Sequence, residues 1–197
     1  MKMHLVSRGL LALSSILLIS IYFFPLWKIH LIAPQYPEGL TMYIWIDKIT
    51  GKTEFDLYNI NLLNHYVGMK HVPSSIPEQK FMPIIGGFLI IFGLFSSIVN
   101  KRALLYIYFI MLTISAILGL ADFYKWEYDY GHNLDPNAPI KMEPFQPPLI
   151  GIKHLLNFTV ASLPHTAGYL AIISVILAFI AIIVDIKFCK KEVPQCV

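Results

Sequence analysis

The chain has 197 residues, of which 56% are hydrophobic and only 14% are charged. Soluble globular domains carry about 25% charged residues, so this composition excludes an ordinary soluble domain and favours a chain solvated largely by lipid. The net charge of +3 would suit a nucleic-acid-binding protein, but the charges lie at the ends of apolar segments rather than on one face, so no nucleic-acid partner is expected.

Four apolar segments predict four helices that span the lipid bilayer. Each has about 18 to 20 residues, the number that crosses roughly 30 Å of hydrocarbon at a rise of 1.5 Å per residue. The first segment ends in aromatic residues rather than in a small-residue cleavage site, so we expect an uncleaved span and not a signal peptide. The predicted spans are residues 10–27, 82–99, 103–121 and 166–184.

The distribution of lysine and arginine favours one orientation of these spans. The amino end, the short link between the second and third spans and the carboxyl tail hold seven basic residues and two acids, a net charge of +5. The two long loops hold eight lysines and ten acids, a net charge of −2. Short cytoplasmic segments are enriched in basic residues. We therefore expect a bacterial inner-membrane protein with both termini cytoplasmic and with loops 28–81 and 122–165 in the periplasm.

The predicted fold is an all-α membrane domain: a four-helix bundle formed by the whole chain, with an extracytoplasmic cap built by the two long loops. In the first loop, residues 40–46 predict a strand and residues 54–60 a second one after a turn. Residues 59–71 favour a helix, which Gly68 weakens. In the second loop, residues 153–158 are expected to form a short helix on the membrane face.

Several classes of function leave no trace in the sequence. No ionisable residue lies near the middle of a predicted span, which disfavours transport by this chain alone. No glycine-rich phosphate loop, nucleophile elbow or HExxH motif is present, so enzyme activity is not expected. The cysteines, Cys189 and Cys196, fit no metal or redox spacing and are expected to be free cytoplasmic thiols.

The densest group of potential metal ligands lies in the first loop, in the run NINLLNHYVGMKH at residues 59–71. His65 and Met69 are four residues apart and would share one face of a helix, while His71 would close from the next turn. Imidazole with thioether is a combination that copper accepts and hard cations do not. Met42 would add a second thioether. The alternative is that His65 bonds to the neighbouring asparagines while Met69 packs in a core.

A second group of polar residues opens the second loop. Carboxylates and an imidazole at a membrane face would bind a metal or relay protons, but Trp126 and the nearby tyrosines favour an aromatic belt with a solvated acidic edge. Three boundary histidines would allow a contact with haem or quinol. The polar candidates are Asp122, Glu127, Asp129 and His132, and the boundary histidines are His30, His154 and His165.

Two loop patterns resemble a known group of proteins: PLWKIHLIAPQYPEGLTMYIW followed by NINLLNHYVGMKH, and WEYDYGHNLDPNAPIKMEPFQPPLIGIKHLLNF. They are similar to small four-span membrane proteins associated with nitrous oxide reductase gene clusters and copper handling. The run Met142-Glu143-Pro144 departs from the expected Pro-Gly-Met order, so the resemblance assigns no role to that methionine. The matching positions are His65, Tyr66, Gly68, Met69 and Lys70, with Gly131, His132, Asp135, Pro147 and Pro148.

The resemblance implies copper as the metal and a maturation or accessory role for a periplasmic respiratory enzyme of denitrification. It also implies a protein partner in the membrane or the periplasm. The residues themselves leave a second function open, a non-catalytic scaffold whose aromatic, proline-rich cap docks such a partner.

Overall fold

A computed structural model describes residues 2–155 and 157–192. The chain is mixed α/β, with 57% of its residues helical and 17% in one five-stranded antiparallel sheet. The prediction of an all-α fold is therefore wrong. It failed because the two long loops pair with each other through strands that lie more than 100 residues apart in sequence, and no local pattern reports such pairing.

The elements follow one another in a helix, a three-stranded unit, three helices, a two-stranded unit and a last helix. There are also two short 3-10 helices. Leu18–Tyr22 continues the first helix, and Pro77–Lys80 precedes the third. The helices are α1 (Leu5–Leu17), α2 (Asp56–Val67), α3 (Met82–Val99), α4 (Arg102–His132) and α5 (Thr166–Glu192), and the strands are β1 (Trp27–Ala33), β2 (Tyr36–Ile44), β3 (Ile49–Gly51), β4 (Gly151–Leu155) and β5 (Phe158–Pro164).

Four helical segments are long and apolar enough to cross a membrane, as the sequence predicts. The first of them covers Leu5–Tyr22 rather than residues 10–27, because β1 already begins at Trp27. The other three contain the predicted spans. Cys196 lies outside the described residues, and of Cys189 only the helical backbone is described, so the expected free thiols stay a prediction.

The bundle is organised around α1, which packs mainly against α5 and α3. Small side chains bring the helices close together, as is typical of membrane helices. The Ser14 hydroxyl lies 2.8 Å from the carbonyl oxygen of Ser174 and 3.1 Å from the Tyr108 hydroxyl, and all three side chains are fully buried. A Cβ atom on Gly93 would overlap Ser15 and Tyr108, so only glycine fits there.

The two ends of the bundle differ. At one end, here the hinge end, residues 2–4, the link between α3 and α4, and the last turns of α5 meet. Asn100 reverses the chain there in the left-handed region, at φ 57°. At the opposite end, here the cap end, Pro25 and Leu26 contact the start of α5 through backbone hydrogen bonds, and the sheet rises beyond them. Both long loops therefore lie at the cap end.

Helix α4 continues well past its apolar part. Residues 103–121 carry no charge, and residues 122–132 add about 16 Å of helix at the cap end. The expectation that residues 122–130 form part of a loop is wrong because no proline or glycine interrupts the run before Gly131.

The sheet has the strand order β3-β2-β1-β5-β4, with all neighbours antiparallel. In the centre, Ile29 pairs with Met42 of β2 on one side and with Ser162 of β5 on the other. Helix α2 packs across β2 and β3 and closes a second hydrophobic core. Its buried members are Ala33, Leu40, Met42, Ile49, Ile60, Leu63 and Val72.

Three local predictions for the cap have mixed outcomes. The strand expected at residues 40–46 is present, largely within β2. The strand expected at residues 54–60 is wrong, because α2 begins at Asp56, whose acidic side chain in the first turn favours a helix. The helix expected at residues 153–158 is also wrong, because Lys153–Leu155 belong to β4 and Phe158 begins β5, where Gly151–Leu155 pairs with Phe158–Ser162.

Candidate functional site

The first predicted ligand group does not share a helical face. Helix α2 ends at Val67, and Gly68 adopts the left-handed conformation at φ 79°. The chain turns there, so Met69 does not continue the helix on the face of His65, and that part of the prediction is wrong. His65 and His71 are exposed and Met69 is half-buried in the loop that follows the helix.

The neighbouring asparagines hold this loop instead of binding His65. Asn61 forms two hydrogen bonds with the backbone of Val72, of 2.7 and 3.0 Å, and Asn64 donates to the carbonyl oxygen of Lys70 at 3.2 Å. Met42, predicted as a second thioether ligand, is 8% exposed and lies in the core between sheet and α2. Its sulfur therefore serves packing rather than an exposed site.

His132 lies on the wall of an open cleft of about 270 Å³ at the end of α4. The cleft is closed on one side by the end of α2 and on the other by the loop that follows α4. The residues that line it are Val67, His132, Leu134, Asp135, Pro136, Ile140, Lys141, Met142 and Pro144. One imidazole and one thioether therefore line the same cleft, a pair that no local sequence pattern connects.

A local contact orients the His132 ring. Nδ1 lies 3.0 Å from the carbonyl oxygen of Tyr128, and a carbonyl only accepts, so Nδ1 carries a hydrogen and Nε2 is the ring nitrogen left to face a ligand. The ring also stacks on Tyr128 with the centroids 3.8 Å apart. A metal-binding histidine usually donates its other ring N–H to a carbonyl or carboxylate in this way.

The soft ligands in the cleft limit the ions that it can hold. Among the described residues, no group of three or more histidine, cysteine, aspartate or glutamate side chains is placed to hold a metal ion. A cuprous ion accepts an imidazole and a thioether as ligands. In the cleft, His132 and Met142 provide these two donors, and Asp135 adds one carboxylate.

Glu127 lies one helical turn before Gly131, on a face of α4 that contacts other parts of the cap. Its side chain is 6% exposed, and one carboxyl oxygen has no hydrogen-bond partner. The adjacent turn is pressed against residues 145–147, because Phe145 donates to the carbonyl oxygen of Gly131 at 2.9 Å. The predicted solvated acidic edge therefore does not include Glu127, since this carboxyl group is buried.

Asp122 and Asp129 do not join Glu127 in one site. Asp122 is half-buried at the point where the apolar part of α4 ends, and its carboxyl group interacts electrostatically with Glu78 and Lys125. Asp129 forms an ion pair of 2.5 Å with Lys70, which ties α4 to the loop after α2.

The three boundary histidines lie apart, each with its own neighbour. The Nδ1 atom of His30 lies 2.9 Å from the Thr41 hydroxyl, and that of His154 lies 2.9 Å from the Thr159 hydroxyl. His165 packs edge-on against Tyr43, and its Nδ1 atom is buried without a partner. Burial, with the nearby charge of Lys28, lowers the pKa of both His30 and His165, so both rings are neutral at pH 7.

The cleft escaped the sequence analysis because its two donors are ten residues apart on a helix end and an irregular loop. The proline-rich composition of the loop was the only local signal that the chain folds back there. Comparison with models of protein families and with curated proteins finds no match to this chain.

Proposed function

We propose that this protein is an integral membrane accessory protein that handles copper on the periplasmic face, in the supply or maturation of a respiratory copper enzyme of the nitrous oxide reductase type. The observation that carries the proposal is the cleft lined by both His132 and Met142, where the carbonyl oxygen of Tyr128 engages Nδ1 of His132 and leaves Nε2 as the ring atom available to a metal. Such a two- or three-donor site suits transfer of Cu(I), because the ion keeps open positions for the ligands of a recipient.

The charge distribution supports the location. The hinge end and the segments around it carry a net charge of +5, whereas the cap carries −2, and basic residues accumulate on the cytoplasmic side. In this orientation the cleft opens into the periplasm, the compartment of the copper enzyme to which the two loop patterns point.

The test is Cu(I) titration of the detergent-purified protein against a chromogenic cuprous chelator. We expect one Cu(I) per chain in the wild type and at least tenfold weaker binding in His132→Ala and Met142→Leu. His65→Ala and Met69→Leu are matched controls of the same two residue types, and they should bind as the wild type does. Absence of bound copper in the wild type, or loss of binding only in the two controls, would contradict the proposal.

A second candidate function, docking of a protein partner, is favoured by an exposed stripe on α2. Phe55 and Tyr58 are 68% and 67% exposed, and Leu62 and Tyr66 continue the same face at helical spacing. Exposed aromatic and aliphatic side chains of this kind are typical of interfaces. The partner would be the recipient periplasmic protein.

Photo-crosslinking tests the docking function directly. A crosslinker in place of Tyr58 should give one discrete adduct with a periplasmic protein, and Leu62→Lys should remove that adduct. A crosslinker in place of Tyr124, an exposed tyrosine on α4, serves as the control. No adduct at position 58 in cells that express the copper enzyme would exclude docking through this stripe.

A further inference from the structure

The amino-terminal residues form a short strap across the hinge end. Lys2 pairs with Lys101 in an isolated antiparallel bridge. The Met3 N–H donates to the Asn100 side-chain oxygen at 2.9 Å, and the His4 N–H donates to the Asp185 carboxylate at 3.0 Å. The backbone therefore holds two lysines side by side, in spite of the repulsion between their charges.

An open cleft of about 210 Å³ lies beside this strap. It is bounded by the strap, the start of α1, the start of α4 and the last turns of α5. The residues that line it are Lys2, Met3, His4, Leu5, Arg102, Asp185 and Phe188. The amino termini of α1 and α4 both begin here, and helix amino ends favour anions.

The charges around the cleft are unbalanced. Lys2 lines the cleft, and its bridge partner Lys101 lies beside it; both are exposed, whereas Arg102 is paired with the fully buried carboxylate of Asp185. Among these four described side chains, three cations and one carboxylate leave a net charge of +2. The two lysines carry the excess, since the ion pair of Arg102 with Asp185 is neutral.

His4 adds a neutral donor to the two lysines. Its Nδ1 atom accepts a hydrogen bond from the Val6 N–H at 3.3 Å, so the ring hydrogen lies on Nε2. The ring stacks on Phe188 with centroids 4.2 Å apart, and this contact fixes its direction. A phosphate, with several acceptor oxygens, can be bound by both ammonium groups and this N–H at once.

The position of the cleft points to a lipid. The apolar parts of α1 and α4 start at its edge, so it lies at the level of the phospholipid headgroups. Leu5, 74% exposed, and Phe188 offer apolar contacts on the bilayer side of the cationic groups. Basic pockets between helices at this depth are suited to anionic headgroups.

We propose that the hinge-end cleft binds the phosphate of an anionic phospholipid through Lys2, Lys101 and His4. This lipid would hold the strap and both helix starts on the cytoplasmic leaflet. The inference is independent of copper handling, since it concerns the other end of the bundle and other residues.

Native mass spectrometry of the full chain in mild detergent tests it. With equal amounts of phosphatidylglycerol and phosphatidylcholine present, the wild type should retain phosphatidylglycerol. Loss of each lysine should weaken retention about fivefold. The double variant Lys2→Gln/Lys101→Gln should therefore lose at least tenfold, while its lipid-free thermal unfolding stays as in the wild type, because both side chains are exposed and the bridge uses backbone atoms.

The matched control is Lys80→Gln, which removes an exposed lysine just before α3, at the cap end of the bundle. It should retain phosphatidylglycerol as the wild type does. Equal retention of the two lipids by the wild type, or undiminished retention of phosphatidylglycerol by the double variant, would overturn the proposal. Inorganic phosphate that stabilises the lipid-free protein as strongly as phosphatidylglycerol does would identify a free-phosphate site and would also overturn it.

Discussion

The two ends of the bundle satisfy their polar groups differently. At the hinge end, the buried Asp185 carboxylate accepts from the His4 N–H and pairs with Arg102. At the cap end, four side chains each have a buried polar atom without a partner among the described residues, whereas Ser7 is the only such residue near the hinge end. The four are Glu78, Glu127, Gln146 and His165.

This contrast distinguishes polar groups that stabilise the fold from polar groups that are available for function. Buried polar groups in native proteins are nearly always hydrogen-bonded, and unpaired ones mark strain or a functional site. At the hinge end, both carboxylate oxygens of Asp185 have partners, and Ser7 is the single exception there among the described residues, whereas the cap end holds four side chains with an unpartnered buried atom. We therefore expect a site that exchanges ions or partners at the cap end.

Asp185→Ala should have the largest effect, because it removes the buried carboxylate that pairs with Arg102 and accepts from the His4 N–H. Breaking a buried ion pair costs about 3–5 kcal/mol. The measurement is the free energy of unfolding in mixed micelles as the denaturing detergent is increased. Asp47→Ala, at an exposed position of the cap, is the control and should change it by less than about 0.5 kcal/mol. An equal effect of the two variants would remove the distinction between the ends.

Gly131→Ala should destabilise the cap next most strongly. The added Cβ atom would overlap the carbonyl oxygen of Phe145 and push the loop away from α4, at a cost of about 1–3 kcal/mol. Gly119→Ala in the same helix meets no atom within 4 Å and should be neutral or stabilising by up to about 1 kcal/mol. Both are measured by thermal unfolding in detergent. Equal melting temperatures would show that the loop does not pack on α4.

Asp56→Asn should lower the stability of the cap by about 1–2 kcal/mol at pH 7, since the carboxylate accepts from the buried Thr41 N–H at 3.0 Å. Burial acts to raise the pKa of Asp56, but the hydrogen bonds from Thr53 and Thr41 outweigh it, and the net shift is downward.

The direction of that shift fixes the pH window. The stabilisation is fully present above the unfolded-state pKa of 3.8 and is lost as the pH falls through the lower folded-state pKa. Tryptophan fluorescence at pH 2 to 6 should show a steeper acid-induced loss of stability in the wild type than in Asp56→Asn. Parallel pH profiles would show that this carboxylate is not linked to folding.

Glu127→Gln should have the smallest effect, and it should not destabilise the protein as a loss at the hinge end does. The buried carboxyl group has one unpartnered oxygen, and the variant replaces it by an amide of the same shape. The free energy of unfolding should therefore fall by less than about 1 kcal/mol or should rise. The same exchange at the other end, Asp185→Asn, should destabilise clearly. A strong loss for Glu127→Gln would reveal a partner and contradict the contrast between the two ends.

The sequence predicted those features that depend on local composition. The four apolar segments, the loops at one end and the strand around residues 40–46 all follow from runs of neighbouring side chains. The sheet does not, because Ile29 pairs with Ser162 and no short window contains both residues. The same limit hid the cleft, which is lined by His132 at the end of a helix and by Met142 in an irregular loop.

Gly68 explains why the first ligand group does not share a helical face. The glycine predicts only a weaker helix at this position, but its left-handed conformation ends α2 and turns Met69 away from the helix axis. The adjacent Asp129–Lys70 ion pair and the bond from Tyr130 to the carbonyl oxygen of His71 then tie that loop to α4. Only the tertiary structure shows this second anchor.

The proposed copper handling requires that the cap lies outside the cytoplasm, and accessibility labelling in intact cells tests this most directly. Single cysteines would be introduced by Ser75→Cys in the cap and Lys101→Cys at the hinge, in a chain whose Cys189 and Cys196 are replaced by serine; both positions are exposed. A membrane-impermeant maleimide should label position 75 in intact cells and position 101 only after lysis. Labelling of position 101 but not of position 75 in intact cells would contradict the account.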